Sequence, residues 1–93
     1  MKIRIEKNRK SIFITNKDTI DEFVNNIKYK IHLHEYKNYD YTQDRFDINF
    51  YFSNNRWVIL RYDKKNKALI APLASKLSTE EAFIYDSFIE NNY

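Results

Sequence analysis

The chain has 93 residues, 43% of them hydrophobic and 31% charged, with a net charge of +3, no cysteine, no glycine and one proline. That length buries one modest core, so 1–93 reads as a single domain; without cysteine there is no disulfide, thiolate metal site or cysteine nucleophile, and without glycine the phosphate-cradling and dinucleotide loops are excluded. No apolar run nears the roughly 20 residues that span a bilayer, and Met1-Lys2-Ile3-Arg4-Ile5-Glu6 lacks the apolar stretch of a signal peptide, so a soluble, cytoplasmic protein is expected.

Ile3 and Ile5 alternate with Lys2, Arg4 and Glu6, and Ile12 and Ile14 alternate with Ser11, Phe13 and Thr15. A turn through Lys7-Asn8-Arg9-Lys10 sets Ile5 opposite Ile12 and Ile3 opposite Ile14, a first hairpin with a basic tip. Asp18 or Thr19 then opens a helix with Ile20, Phe23, Val24 and Ile27 on one side and carboxylates in its first turn, ending near Asn25-Asn26. For the next segment two patterns compete: Ile31 continues the helical stripe, whereas Tyr29, Ile31 and Leu33 alternate with Lys28, Lys30, His32 and His34. The alternation favours a strand over 28–36.

Residues 45 to 62 are the clearest stretch. Phe46, Ile48 and Phe50 alternate with Asp47, Asn49 and Tyr51, and Trp57-Val58-Ile59-Leu60-Arg61-Tyr62 follows the loop Ser53-Asn54-Asn55. With Asn55 left-handed, this three-residue loop opposes Phe46 to Tyr62, Ile48 to Leu60 and Phe50 to Val58 on an apolar face, and Asp47 to Arg61 and Tyr51 to Trp57 on the other. Pairing of 28–36 with this hairpin would oppose Leu33 to Ile48 and Ile31 to Phe50. A last strand from 68 to 71 precedes Pro72, which marks its end or a sheet edge. Ser78-Thr79-Glu80-Glu81 is a capping box with a Leu77/Ala82 staple, opening a helix whose buried side is Phe83, Ile84, Phe88 and Ile89, followed by a fraying tail over 91–93. The expected fold is α+β, ββαββββα: an antiparallel sheet with a four-stranded meander and helices packed on one face.

Chemistry-bearing residues are sparse. His32 and His34 share a strand side with Asp47 across from them but lack a further ligand, and Asn38, Asp40, Thr42 and Asp44 resemble calcium-loop spacing without its glycine or closing glutamate, so no metal or other cofactor is expected. No serine sits in a nucleophile elbow, and no enzyme activity is expected. Two binding readings remain. Tyr36, Tyr39, Asp40 and Tyr41 form a tyrosine-rich loop suited to protein recognition, and Tyr51 and Trp57 stand on the sheet face opposite the core. Alternatively, Lys28, Lys30, Arg45, Arg56, Arg61, Lys64 and Lys65, interleaved with those aromatics, form a single-stranded nucleic-acid platform. The expected partner is a host protein or a protein–nucleic acid complex, with no membrane involved, and the chain is expected to be a monomer or small homo-oligomer.

The heavy use of Ile, Asn, Lys and Tyr with no Gly follows codons rich in A and T. In size and composition the chain resembles the small accessory proteins of phages and mobile elements, including the anti-CRISPR and other anti-defence inhibitors. That resemblance rests on composition alone, and it implies a non-catalytic inhibitor that occupies a host protein's surface.

Overall fold

The structure is a computed structural model that describes residues 1–30 and 34–93, with the backbone alone at Tyr29 and Lys30. The elements are β1 (Lys2–Lys7), β2 (Lys10–Ile14), α1 (Lys17–Lys30), β3 (His34–Glu35), β4 (Phe46–Tyr51), β5 (Trp57–Asp63), β6 (Ala68–Ile70), β7 (Ala74–Lys76) and α2 (Thr79–Asn92). They build an α+β fold: one antiparallel seven-stranded sheet in the order β2-β1-β4-β5-β6-β7-β3, with both helices on one face.

Both hairpins take the register that their alternation demands. Ile5 opposes Ile12 and Ile3 opposes Ile14 across β1 and β2, which meet through the tight turn Asn8-Arg9, both at positive φ. In β4 and β5 Phe46 opposes Tyr62, Ile48 opposes Leu60, Phe50 opposes Val58 and Tyr51 opposes Trp57, and Asn55 is left-handed with φ 62°. In a chain without glycine, asparagine supplies Asn8, Asn38 and Asn55 of the five left-handed positions among the described residues, because its short polar side chain offsets part of the steric cost.

Several expectations are corrected. First, α1 does not stop at Asn25-Asn26 but continues to Lys30, so Lys28 and Lys30 belong to a helix and not to a sheet strand. No residue of that stretch adopts the left-handed cap conformation, and Lys is a good helix former. Residues 31–33 of the proposed strand lie outside the described residues, and the remainder is the two-residue β3, which pairs with β7 and not with β4. The place beside β4 is taken by β1, with Ile3 opposite Phe50 and Ile5 opposite Ile48. Both candidate strands alternate with the same period, and both would satisfy the apolar face of β4. Second, the four-stranded meander is β4–β5–β6–β7: β6 ends before the turn containing the cis Ala71–Pro72 bond, and the three residues of β7 return beside it. Third, Phe83 is 69% exposed, and Tyr85 takes the buried position in α2 beside Ala82, Phe88 and Ile89. The tail does not fray either. Tyr93 donates its backbone N–H to Ile89, its hydroxyl lies 3.0 Å from the Lys7 carbonyl, and its ring meets Phe46 edge-on.

The core lies between the helices and the sheet. Phe23 stacks on Phe50 and Phe88, Tyr85 stacks on Tyr62, and Ile3, Ile5 and Ile48 are fully buried beneath them. Tyr62 donates its hydroxyl to Asp86 of α2 at 2.7 Å, so β5 is tied to the helix layer through an otherwise apolar contact. The start of α1 is earlier than Asp18 or Thr19: the helix opens at Lys17, and the Asn16 side chain caps it by accepting from Thr19 N–H at 3.0 Å. α2 starts as expected, with Ser78 and Glu81 forming the reciprocal capping box through bonds of 3.1 and 3.0 Å. Ser78→Ala should therefore cost about 1 kcal/mol in urea unfolding, and Ser78→Asp, which keeps an acceptor, much less. Equal stability of Ser78→Ala and wild type would show the cap to be redundant.

Candidate binding face

Because successive strand residues point to opposite faces, the sheet side away from the helices is written in the odd residues of β4 and β5 and the even residues of β1. Its two halves have different fates. Over β6 and β7 it is covered by the chain itself: Tyr39 packs on Ala68, Ile70 and Ala74 in a second small core, with Tyr36 against it. Tyr39 is only 8% exposed and donates its hydroxyl to Asp63 at 2.7 Å, while the Tyr41 hydroxyl accepts from the backbone N–H of Ala74 at 3.1 Å. The Tyr36, Tyr39 and Tyr41 rings meet edge-on in succession, each at 5.0 Å. Burial first, then the hydrogen bond to Asp63, holds the Tyr39 hydroxyl far above its ordinary pKa, so it stays a donor. Asp40 accepts from the Thr42 backbone and hydroxyl and from Gln43, which locks the following turn and, through the Thr42 bonds first, lowers the carboxyl's pKa. In this loop Tyr39 and Asp40 are occupied in holding the fold, and Tyr41 offers the most open ring.

Over β2, β1, β4 and β5 the same face carries exposed aromatic side chains around a buried Asn49. Trp57 is 59% exposed and Phe13 55%, with Tyr51 half-buried between their strands. The Lys2 ammonium lies 5.0 Å from the Phe13 ring centre and 5.6 Å from that of Tyr51, and the two rings are 6.4 Å apart, so a cation sits between two aromatic surfaces. The Arg4 guanidinium also leans on Phe13 and is paired with Glu6; interaction with the Tyr51 hydroxyl first, and then the Glu6 charge, raises its pKa. Where the hairpin overhangs the helices, Met1, Phe52 and Val58 add exposed apolar surface, and Arg56 stands at the same end of the sheet.

The basic residues do not gather here. Because β1 and not 28–36 adjoins β4, the neighbour of Tyr51 is Lys2 rather than Lys30, and that of Asp47 is Glu6 rather than His34. Lys28 is exposed on α1, and Lys30 belongs to the same helix. Arg61 is on the face but pairs with Asp47 at 3.5 Å, and Lys64 pairs with Glu90 of α2 at 3.5 Å. Arg56 immediately precedes β5, while Lys64 and the exposed Lys65 lie past its far end, roughly 25 Å away at the rise of a strand. Arg45 is half-buried just before β4. The candidate cations are thus spread over the helix layer, both ends of β5 and the central sheet. Phe13 and Lys2 are absent from the sequence-based candidates. The register of the first hairpin already turns Phe13 away from Ile12 and Ile14, but only the β1–β4 pairing brings it to Tyr51.

No protein family, curated protein or solved structure matches the chain. Among the described residues no cluster of three or more His, Asp or Glu could hold a metal ion, and no helix is long and apolar enough to cross a membrane. His34 lies in β3 opposite Lys76, and His32 lies outside the described residues.

Proposed function

We propose that this protein is a non-catalytic binding module that acts in the cytoplasm by occupying a surface of another protein, inhibiting or modulating it, with Phe13, Tyr51 and Trp57 as anchors. The observation that carries this reading is the aromatic half of the outer sheet face. The chain folds a tyrosine loop over one half of that face and leaves Phe13 and Trp57 exposed on the other, with Tyr51 half-buried beside them and Lys2 against the Phe13 and Tyr51 rings. Large, stiff aromatic side chains gain contact area with little loss of rotamer freedom, and they commonly dominate protein interfaces. The state of the cations favours a protein over single-stranded nucleic acid. On this face Arg4 and Arg61 are each paired with a carboxylate and Lys2 is held between rings, so phosphate binding would have to break contacts already made. The compositional resemblance to phage-type inhibitors fits the same reading, because steric occupation requires no active site.

Trp57→Ala and Tyr51→Ala should each weaken partner binding by about 2 kcal/mol or more, roughly 30-fold, while Trp57→Ala changes stability by less than about 0.5 kcal/mol. The test is affinity capture from an AT-rich bacterial lysate on immobilised wild type and Trp57→Ala, with and without nuclease. A nuclease-resistant protein held by wild type and lost by the variant is the expected result. Capture abolished by nuclease, or falling steeply with moderate salt, would instead favour nucleic acid, and identical capture by both proteins would remove Trp57 from the site.

A further inference from the structure

The two edges of the sheet are unlike. On one side lies β3, with two described residues; on the other lies β2, five residues in unbroken register with β1. Natural edge strands are blunted by shortness, proline, bulges or charge. β2 has none of these over most of its length: no proline, no bulge within its ladder, and a single lysine at its start.

The direction of its backbone groups follows from the turn. With Asn8 and Arg9 both at positive φ, Lys7 and Lys10 close a two-residue hairpin as a hydrogen-bonded pair. Such pairs alternate along an antiparallel ladder, so Ile12 and Ile14 bond to β1 while the N–H and C=O groups of Ser11 and Phe13 point out of the sheet. The same phase runs across the sheet and agrees with the bond from Phe52 N–H to the Arg56 carbonyl that closes the β4–β5 hairpin.

We propose that β2 is a self-pairing edge, and that two copies of this chain join through it, antiparallel about a twofold axis at Ile12, into one continuous sheet. In that register the outward groups of Ser11 meet those of Phe13 from the second copy, and the reverse. Ile12 meets its own counterpart on the helix side and extends the apolar layer begun by Ile5 and Ile14. Charge agrees with the direction: the basic tip at Arg9 falls opposite Thr15 of the second copy, beside the start of its α1. There Lys17 already pairs with Asp21 at 2.9 Å, leaving the Asp18 carboxylate exposed to meet the tip. Because a twofold pairing uses the β2 edge of both copies, it closes at a dimer rather than running on as a filament. The two aromatic patches then lie on one face, on either side of the axis. Dimerisation does not depend on what that face binds, and it is measured without any partner.

Sedimentation equilibrium of the pure protein over a wide concentration range should give a mass rising to twice the 11.4 kDa of the chain. Amide exchange at Ser11 and Phe13 should slow as concentration rises. Phe13→Pro removes an N–H that β1 does not use, and Ser11→Lys with Phe13→Lys sets like charges across the axis twice; both variants should be monomeric with unchanged far-UV circular dichroism. Leu73→Ser, a change at another exposed apolar residue, should leave the dimer intact. A wild-type mass that stays at the monomer value, exchange at Ser11 and Phe13 independent of concentration, or folded edge variants that remain dimeric would overturn the proposal. The exchange measurement on wild type decides the matter even if a variant fails to fold.

Discussion

Replacing Phe23 by alanine should bring the protein close to unfolding, lowering its stability by roughly 3 to 5 kcal/mol. Phe23 of α1 packs against both the sheet and α2. Its ring stacks against Phe50 of β4, lies face to face with Phe88 of α2 at a ring separation of 3.8 Å, and meets the edge of Tyr85 at 5.7 Å. It is 3% exposed, and the rings around it are themselves fixed by neighbours, so the space left by truncation cannot readily close. A domain of this size has about 5 to 15 kcal/mol in total, so this one change consumes a large share of it. Phe23→Leu, which keeps most of the volume, should lose markedly less. Urea titration with tryptophan fluorescence and far-UV circular dichroism measures both. A loss below about 1 kcal/mol for Phe23→Ala would mean that the helix layer is held chiefly by α2 and the Tyr62–Asp86 bond.

How far the fold was legible in the sequence depends on the range of the deciding interaction. The β4–β5 hairpin was readable in full: the loop length, the left-handed Asn55 and the Asp47–Arg61 pair all call for one register, and all are local. The capping box at Ser78 and Glu81 was readable for the same reason. The neighbour of β4 was not. Ile3 and Ile5 of β1 and the alternating residues of 28–36 offer β4 equivalent apolar faces, and the choice between them is made by whether α1 finds a stop, which no glycine provides. Strand β7 escaped because three residues carry no periodicity, and Tyr85 displaced Phe83 because the buried stripe of α2 is set by Tyr62 across the core. The candidate site divides along the same line. Tyr51 and Trp57 followed from hairpin register, whereas Phe13 and Lys2 join them only through a pairing between distant segments, and the burial of Tyr39 depends on Asp63, distant in sequence.

Loss of the Asp63 carboxylate should be the most damaging polar substitution, and its effect should depend on pH. Asp63 ends β5 with 1% of its surface exposed, and its oxygens accept from the Tyr39 hydroxyl and the Asn66 side-chain amide, each at 2.7 Å, and from the Asn66 backbone at 3.1 Å. Burial alone would raise its pKa, but the bonds from Asn66, Tyr39 and the Lys65 backbone together outweigh it and hold the carboxyl below its ordinary value of 3.8. A depressed folded-state pKa contributes stability that is fully present above the unfolded value and is lost as pH falls through the folded one. Asp63→Ala should therefore cost roughly 3 kcal/mol at neutral pH, since it strands a buried hydroxyl and an amide as well as removing bonds to a charged acceptor. The gap between variant and wild type should narrow as the pH drops below about 4, near the unfolded carboxyl pKa. The tyrosine loop should loosen first, seen as faster amide exchange over 36–45 before the rest of the sheet. On the alkaline side the sign reverses. Tyr39, Tyr62 and Tyr85 all have hydroxyls pushed far above the ordinary value of 10.0, chiefly by burial, so stability falls as pH rises past that value and the unfolded chain ionises first. Urea midpoints measured at neutral pH and near pH 3 test the acid side (about one unit below the ordinary carboxyl value). An Asp63→Ala protein as stable as wild type at neutral pH, or equally far below it in acid, would show that Tyr39 is held by its apolar contacts with Ala68, Ile70 and Ala74 and not by this carboxylate.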